Sequence, residues 1–287
     1  MSQLAEGDKA WLKYEVNGKL HGDINPLGAV TRRATHYDPN IGQVPACDAL
    51  YGPECRELFG PSKGMVQVGI DVAGLELRML AHYLAKYDGG AYGKIVCFGD
   101  VHTANMVAAG LPSRNNAKTF IYAFLYGAGD IKIGSIVLLL GTEAEQRKAG
   151  KRLKKSFKEK VIGLDDLIEA VQSSAEEFST LPSLDGAPLH CRSPHSALNT
   201  LLQSSGAIVC KQWMIEVDEE IERRGWREKV KLMGWIHDEL QFECVPEHAE
   251  EFGKMAVECI TKSGTYLNVR VPLTGEFKIG NNWKECH

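Results

Sequence analysis

Short β-rich runs bracket a long helical middle, and this arrangement constrains the fold more than any other feature of the sequence. Met65 to Ile70 (MVQVGI) is β-rich and ends at Asp71, with Gly74 close behind. Leu75, Leu77, Leu80, Ala81 and Leu84 then recur at helical spacing up to Tyr87, so the segment reads strand, carboxylate, turn, helix. Val230 to Ile236 and Leu240 to Val245 predict two more strands, with His237-Asp238-Glu239 at the turn between them. That is a hairpin without the usual Asn-Gly or Asp-Gly. Pro246 opens a last helix to about Ser263, and Val269 to Phe277 reads as a final strand. Strands at both flanks and helices between them predict an α+β chain.

The middle supplies the helices. Val101 to Ala109 is one, and Ser113 to Tyr126 is a stronger one, starting after Pro112 with Ser113 as N-cap. Thr142 to Lys160 is amphipathic and basic, Leu164 to Phe178 follows, and Pro194 to Arg224 is a long helical pattern. Gly186 to Cys191 reads as a small hairpin or extended piece. Residues 1–62 are rich in turn formers (Asn25-Pro26, Asp38-Pro39-Asn40, Gly52-Pro53) and read as extended chain and loops. There is no internal repeat.

Composition narrows the class. The densest apolar run, Ile136 to Leu140, is far short of the ~20 residues that span a bilayer. The N-terminus has neither the basic nor the apolar region of a secretory leader. The expectation is a soluble cytoplasmic protein with no membrane partner. Its eight cysteines are dispersed, without a C-x-x-C pair, and read as reduced thiols. Thirty-three basic against thirty-seven acidic residues give a net charge of −4. That argues against a nucleic-acid binder by total charge, although the field in one groove decides such binding.

Two sets of residues carry chemistry. If the strands that end at Asp71 and begin after Asp238 are neighbours in one sheet, the two carboxylates converge at its edge. Paired carboxylates suit two divalent ions, because hard cations such as Mg²⁺ take oxygen ligands and leave room for substrate phosphates. Such a pair of ions stabilises the attacking and leaving oxygens of a phosphoryl transfer. Either aspartate alone suits a turn equally well. Arg114, Lys118, Tyr122 and Tyr126 are spaced by four, each step advancing about 40° around a helix. Two cations followed by two aromatics suit a triphosphate, a sugar and a stacked base, with Lys118 neutralising phosphate charge. The same pattern also fits a solvated basic turn followed by core aromatics.

Taken in order, these segments resemble a known family. DVAGLELRMLAH (Asp71 to His82), RNNAKTFIYAFLYG (Arg114 to Gly127) and HDE (His237 to Glu239) resemble motifs A, B and C of family-A, DNA polymerase I-like DNA polymerases. GAVTRRATHYDPNIGQVP (Gly28 to Pro45) is similar to the segment before motif A. RSPHSALNTLLQSSGA (Arg192 to Ala207) is similar to the long helix that enters the palm. The ending NWKECH resembles that of the T-odd bacteriophage enzymes. The likeness runs from about residue 7 to residue 287.

The resemblance implies a polymerase palm, an antiparallel sheet with packed helices, in residues 1–83 and 199–287, with helical fingers in 84–198. It implies template-directed addition of deoxynucleoside triphosphates to a primer 3′-hydroxyl, in viral replication in the cytoplasm of an infected bacterium. Asp71 and Asp238 become carboxylate ligands of two Mg²⁺ ions, with the Val72 backbone carbonyl assisting and Glu239 in support. Arg114 and Lys118 bind the triphosphate, Lys118 also protonating the departing pyrophosphate, and His102 of GDVHT touches the β-phosphate. Tyr122 stacks under the sugar with Glu76 against it, leaving no space for a 2′-hydroxyl. A phenol at Tyr122 resembles the phage enzymes, which admit dideoxynucleotides readily. Tyr126 stacks at the template base. Arg33, Asn40 and Gln43, with His195, Asn199 and Gln203 on one helix face, read the duplex through the minor groove, and His237 bears on the primer terminus.

Family members carry a 3′→5′ exonuclease and a thumb before the matching segment, and neither fits ahead of it here. The expectation is therefore a chain without thumb and exonuclease, with no thioredoxin binding of its own. A separate thumb–exonuclease polypeptide is then a candidate partner, and a binding subunit inactive without it is an alternative. A two-metal nuclease or phosphatase is another, which leaves Arg114, Lys118 and Tyr122 without a purpose. A single-subunit RNA polymerase is opposed by Glu76 and Tyr122. Arg147 to Lys160 carries eight basic residues and one acid, which suits either a solvated helix face or contact with single-stranded template.

Overall fold

The computed structural model describes residues 2–286 and is α+β. After short turns and two small hairpins, strand β1 (Val66–Val72) leads into helix α1 (Leu75–Asp88). Helices α2 (Ala91–Phe98), α3 (Val101–Ala109), α4 (Arg114–Leu125), α5 (Asp130–Ser135), α6 (Glu143–Lys160) and α7 (Leu164–Phe178) follow. Then come α8 (Ala197–Arg223), β2 (Val230–Ile236), β3 (Glu239–Cys244), α9 (Ala249–Tyr266) and β4 (Gly275–Gly280). The chain divides into two compact units. The first takes residues 1–75, 206–267 and 273–287, and the second takes 76–205 and 268–272. Among the described residues no helix is long and apolar enough to cross a membrane.

The first unit is built on a four-stranded antiparallel sheet of order β4-β1-β3-β2. Successive side chains of its strands point to opposite faces, and both faces of the central pair are largely buried. Val68 and Ile70 lie opposite Phe242 and Leu240 and are buried against α9, where the Phe242 and Phe252 rings meet edge-on at 4.9 Å. Trp213 of α8 ties into the same layer, its Nε1 donating to the Ala256 carbonyl at 2.8 Å. The other face carries Gln67, Gly69, Asp71, Glu239, Gln241 and Glu243. It is closed in part by the C-terminal segment, because a Cβ on Gly69 would come within 2.5 Å of the Cys286 carbonyl oxygen. Trp11, Val44, Ile236 and Trp283 form a second small core on this side.

The second unit is helical, and its helices start where side chains cap them. Asp100 accepts from the backbone of His102 and Thr103 at the start of α3, and Ser113 accepts from Asn116 at the start of α4. Thr142 and Glu145 form a reciprocal capping box at α6. Its core gathers around Phe157 of α6, whose ring meets Phe120 and Phe124 of α4 at 5.3 and 5.2 Å. Helices α5 and α6 approach so closely that a Cβ on Gly150 would fall 1.9 Å from the Asp130 carbonyl oxygen.

Three expectations are corrected. The final strand is Gly275–Gly280, not Val269 to Phe277, because residues 268–272 belong to the second unit. There the Arg270 amide is committed to His82 Nδ1 at 3.0 Å, and Pro272 has no amide to offer a ladder. Helices α2 and α5 were hidden by their flanking glycines and their shortness, and Gly52-Pro53 opens a short helix, Gly52–Glu57, in place of a loop. The motif strands pair as anticipated, but Asp71 and Asp238 lie at the end of the two central strands rather than at a sheet edge.

The α5–α6 contact reverses an ordinary rule. Gly→Ala in a helix normally gains about 0.5–1 kcal/mol, yet Gly150→Ala is expected to cost about 1–3 kcal/mol by overpacking. Denaturant unfolding measures it, and an unchanged or raised midpoint contradicts the packing.

Candidate active site

In the first unit, backbone pairing places the two aspartates. Asp71 is the register partner of Glu239 in β3 and of Glu276 in β4. One residue further, the Val72 amide donates to the Asp238 carbonyl at 3.1 Å. Because Ile236 pairs with Glu239, the β2–β3 loop is only His237 and Asp238, with His237 in the left-handed region at φ 56°. Both aspartates are partly exposed, whereas Glu239 is 5% exposed.

Glu239 is a buried carboxylate, and such a group persists only where partners replace water. Its Oε1 accepts from Trp283 Nε1 at 2.6 Å and from Gln241 Nε2. Arg56, also 5% exposed, lies with Nη1 3.9 Å from Glu239 Oε2 and its guanidinium 4.4 Å above the Trp283 ring. Arg56 Nε donates to the Pro45 carbonyl at 3.0 Å, which fastens the network to the segment before β1. Sequence reading missed Arg56 and Trp283. Only the C-terminal resemblance NWKECH hinted at the tryptophan.

Arg33, His36, His237 and Asp238 line one cleft of this unit, with Leu75 and Trp235. The Trp235 indole holds the His237 carbonyl at 2.9 Å. Burial pulls the His36 imidazole below its usual range, and His237 adds to the effect. Asn40 and Gln43 sit apart from this lining, at the turn Ile41–Gln43.

Among the described residues no group of three or more His, Cys, Asp or Glu side chains could hold a metal ion. The donors at the strand ends are two aspartate carboxylates and the Val72 carbonyl. These are hard oxygen ligands without sulfur or nitrogen, and so few of them fit Mg²⁺, which keeps several waters and shares substrate phosphates.

The second unit gathers the cationic residues. Arg114, at the start of α4, donates from Nε to Asp100 at 3.2 and 2.9 Å. The Arg114 and Thr103 hydrogen bonds hold the Asp100 carboxyl well below the usual carboxylate range. His102 stands in the first turn of α3 with Nδ1 buried and without a hydrogen-bond partner among the described residues. Burial lowers its pKa, and Arg114 and Lys118 add to this while Asp100 opposes. Lys118 is exposed and makes no hydrogen bond or ion pair among the described residues. Three predicted phosphate ligands are thus neighbours. Asp100, which binds the first of them, was not foreseen, although it stands in the same GDVHT segment.

Further along α4, Tyr122 is half-buried beside Tyr92, whose phenol is raised by burial and, to a lesser degree, by Tyr122. Tyr126, at the helix C-cap, donates its hydroxyl to Glu76 Oε1 at 2.9 Å. Asn199 and Gln203 share a face of α8. His195 does not stand on that helix. Pro194 sets a separate turn, Pro194–Ser196, so the spacing of four does not carry to it.

The chain is similar to known proteins. The profile of DNA polymerase family A matches residues 8–285. The DNA-directed DNA polymerase of Enterobacteria phage T3 is 45% identical over 318 residues, covering 100% of this chain and 44% of that protein. That of Escherichia phage T7 is 44% identical, with the same coverage. The chain therefore spans less than half the length of these phage relatives. A solved structure, the POL domain of Pol1 from M. smegmatis in complex with DNA primer-template and dNTP, shares the fold. It has a TM-score of 0.82 at 22% identity, covering 96% of this chain and 50% of that one.

The network under the strand ends is testable by stability alone. Trp283→Phe removes the donor to Glu239 and is expected to cost about 1–3 kcal/mol. Much of that loss should vanish in a Glu239→Gln background, because the two side chains are coupled. Strictly additive unfolding energies contradict the network.

Proposed function

The chain belongs to DNA polymerase family A, and from that premise we propose that it carries the nucleotidyl-transfer centre of a template-directed DNA polymerase. The observation that carries this reading is the Val72–Asp238 backbone bond, which brings Asp71 and Asp238 to adjacent strand ends. The phage T3 and T7 proteins support it by name, as does a fold shared with a domain solved on primer-template and dNTP. On this reading residues 1–83 and 199–287 are palm and 84–198 fingers. Primer-template and deoxynucleoside triphosphates are the partners, and the setting is viral replication in a bacterial cytoplasm.

A primer 3′-hydroxyl attacks the α-phosphorus of the incoming nucleotide, and pyrophosphate leaves. Asp71, Asp238 and the Val72 carbonyl would hold two Mg²⁺ ions, which would supply the positive charge that such a transfer needs at its attacking and leaving oxygens. Arg114 exchanges Asp100 for phosphate oxygens. That step costs little, because the pair is exposed and water replaces either partner readily. Lys118 neutralises the pyrophosphate and gives it a proton. His102 stands beside these two cations and donates a ring N–H to the β-phosphate. Tyr122 supports the sugar, and Glu76, held by Tyr126, closes the space that a 2′-hydroxyl would need. Arg33, Asn40, Gln43, His195, Asn199 and Gln203 contact the duplex, and His237 the primer end. Glu239 keeps the turn in place from within the sheet. A nuclease using the same carboxylates would leave the Arg114–Lys118–His102 group without a role.

Asp71→Asn and Asp238→Asn should each lower primer extension at least about a hundredfold while the unfolding midpoint holds. Unchanged extension by either variant contradicts the assignment. Tyr122→Phe should raise the ratio of kcat/KM for deoxy- over dideoxynucleotides. An unaltered ratio shows that the α4 helix has been read wrongly.

A further inference from the structure

One surface of the second unit has no part in that chemistry. Helix α6 buries Ala149, Gly150, Leu153 and Phe157. Its opposite side carries Arg147, Lys148, Lys151, Arg152 and Lys155, all exposed. At 100° per residue these five fall within an arc of about 140° and along about 12 Å of helix axis. Lys155 alone has an acidic neighbour, Glu159 at 3.8 Å. The other four make no hydrogen bond or ion pair among the described residues. Elsewhere on the same helix, cations are matched, Lys154 with Asp130 at 3.1 Å and Lys158 with Asp165.

The face is arranged against its own helix. Arg147 and Lys151, Lys148 and Arg152, and Lys151 and Lys155 are like charges four residues apart, each pair weakening the helix. Of the acids in the N-terminal turn, Glu145 is held in the capping box with Thr142, and Glu143 makes no ion pair with this face among the described residues. A row of unmatched cations along an axis suits a linear polyanion better than a compact one, which needs a concave cradle.

Position then selects the polyanion. Lys154 Nζ donates to the Ala128 carbonyl at 2.6 Å, two residues past Tyr126, and Gly150 lies directly on the Asp130 carbonyl. With Phe157 seated on Phe120 and Phe124, the middle of α6 is fastened to the end of α4 and to the chain leaving Tyr126. We propose that the outward face of α6, through Arg147, Lys148, Lys151, Arg152 and Lys155, binds the phosphates of the single-stranded template. This rests on the polymerase reading, in which the template base meets Tyr126. Backbone contacts of this kind hold a strand without reading its sequence.

The test is binding of a fluorescent oligo-dT by anisotropy over a range of salt. It compares the wild-type chain with the triple variant Lys148→Gln, Lys151→Gln, Arg152→Gln. Glutamine keeps helical propensity, and removing like charges should leave the thermal midpoint unchanged or raised. The variant is expected to bind more weakly, and the slope of log K against log salt should fall by about 2, at ~0.7 per lost single-strand contact. Failure of the wild type to bind oligo-dT, or equal affinity and slope in both proteins, overturns the surface. Wild-type primer extension in the same preparation reports separately on the activity. Extension with an unaltered variant slope removes the surface alone, and a reduced slope with extension that Asp71→Asn leaves unchanged removes the polymerase reading alone.

Discussion

The antiparallel pairing of β1 with β3 is the constraint on which the candidate site depends. It sets Asp71 opposite Glu239 and brings the Val72 amide to the Asp238 carbonyl. A slip of one residue would send every side chain of β1 to the other face, taking Asp71 away from Glu239. The register is therefore held from both sides. Val68 and Ile70 are buried with Phe242 under α9. On the opposite face Gln67 donates to Gln241 at 2.6 Å, and the Cys286 carbonyl lies against Gly69. The polar face is costly to bury, and its hydrogen bonds make only one register acceptable.

Two charged pairs illustrate opposite uses of electrostatics. Arg56 and Glu239 are buried, so removing either partner leaves an uncompensated charge, and the pair behaves as a rigid support. Arg114 and Asp100 are exposed, so water replaces either partner readily, and the pair can open to an anion. The first suits a foundation under the carboxylates. The second suits a phosphate site that is occupied by an internal carboxylate until a triphosphate replaces it.

Much of this was legible in the sequence because periodicity and capping are local. The β-rich run Met65 to Ile70, the cap Ser113 and the apolar spacing of α1 each report on their own segment, and the structure has a strand, a capped helix and a helix there. The pairing of Asp71 with the HDE turn was legible only as a conditional, since strand adjacency is a long-range property. What escaped was the support. Arg56 and Trp283 are 227 residues apart, and nothing in either neighbourhood announces a buried contact with Glu239. The last strand was misplaced for the same reason, because His82 decides where the Arg270 amide goes. His195 was misplaced because Pro194 breaks a spacing that is regular on paper.

On the proposed reading, Asp71 and Asp238 act together in binding divalent cations. Titration of the purified chain with Mn²⁺ in the presence of a deoxynucleoside triphosphate, followed by water-proton relaxation, tests it without relying on turnover. Saturable binding by the wild type is expected, which Asp71→Asn and Asp238→Asn each weaken, with little further loss in the double variant. Binding that is the same in all of these proteins would contradict it.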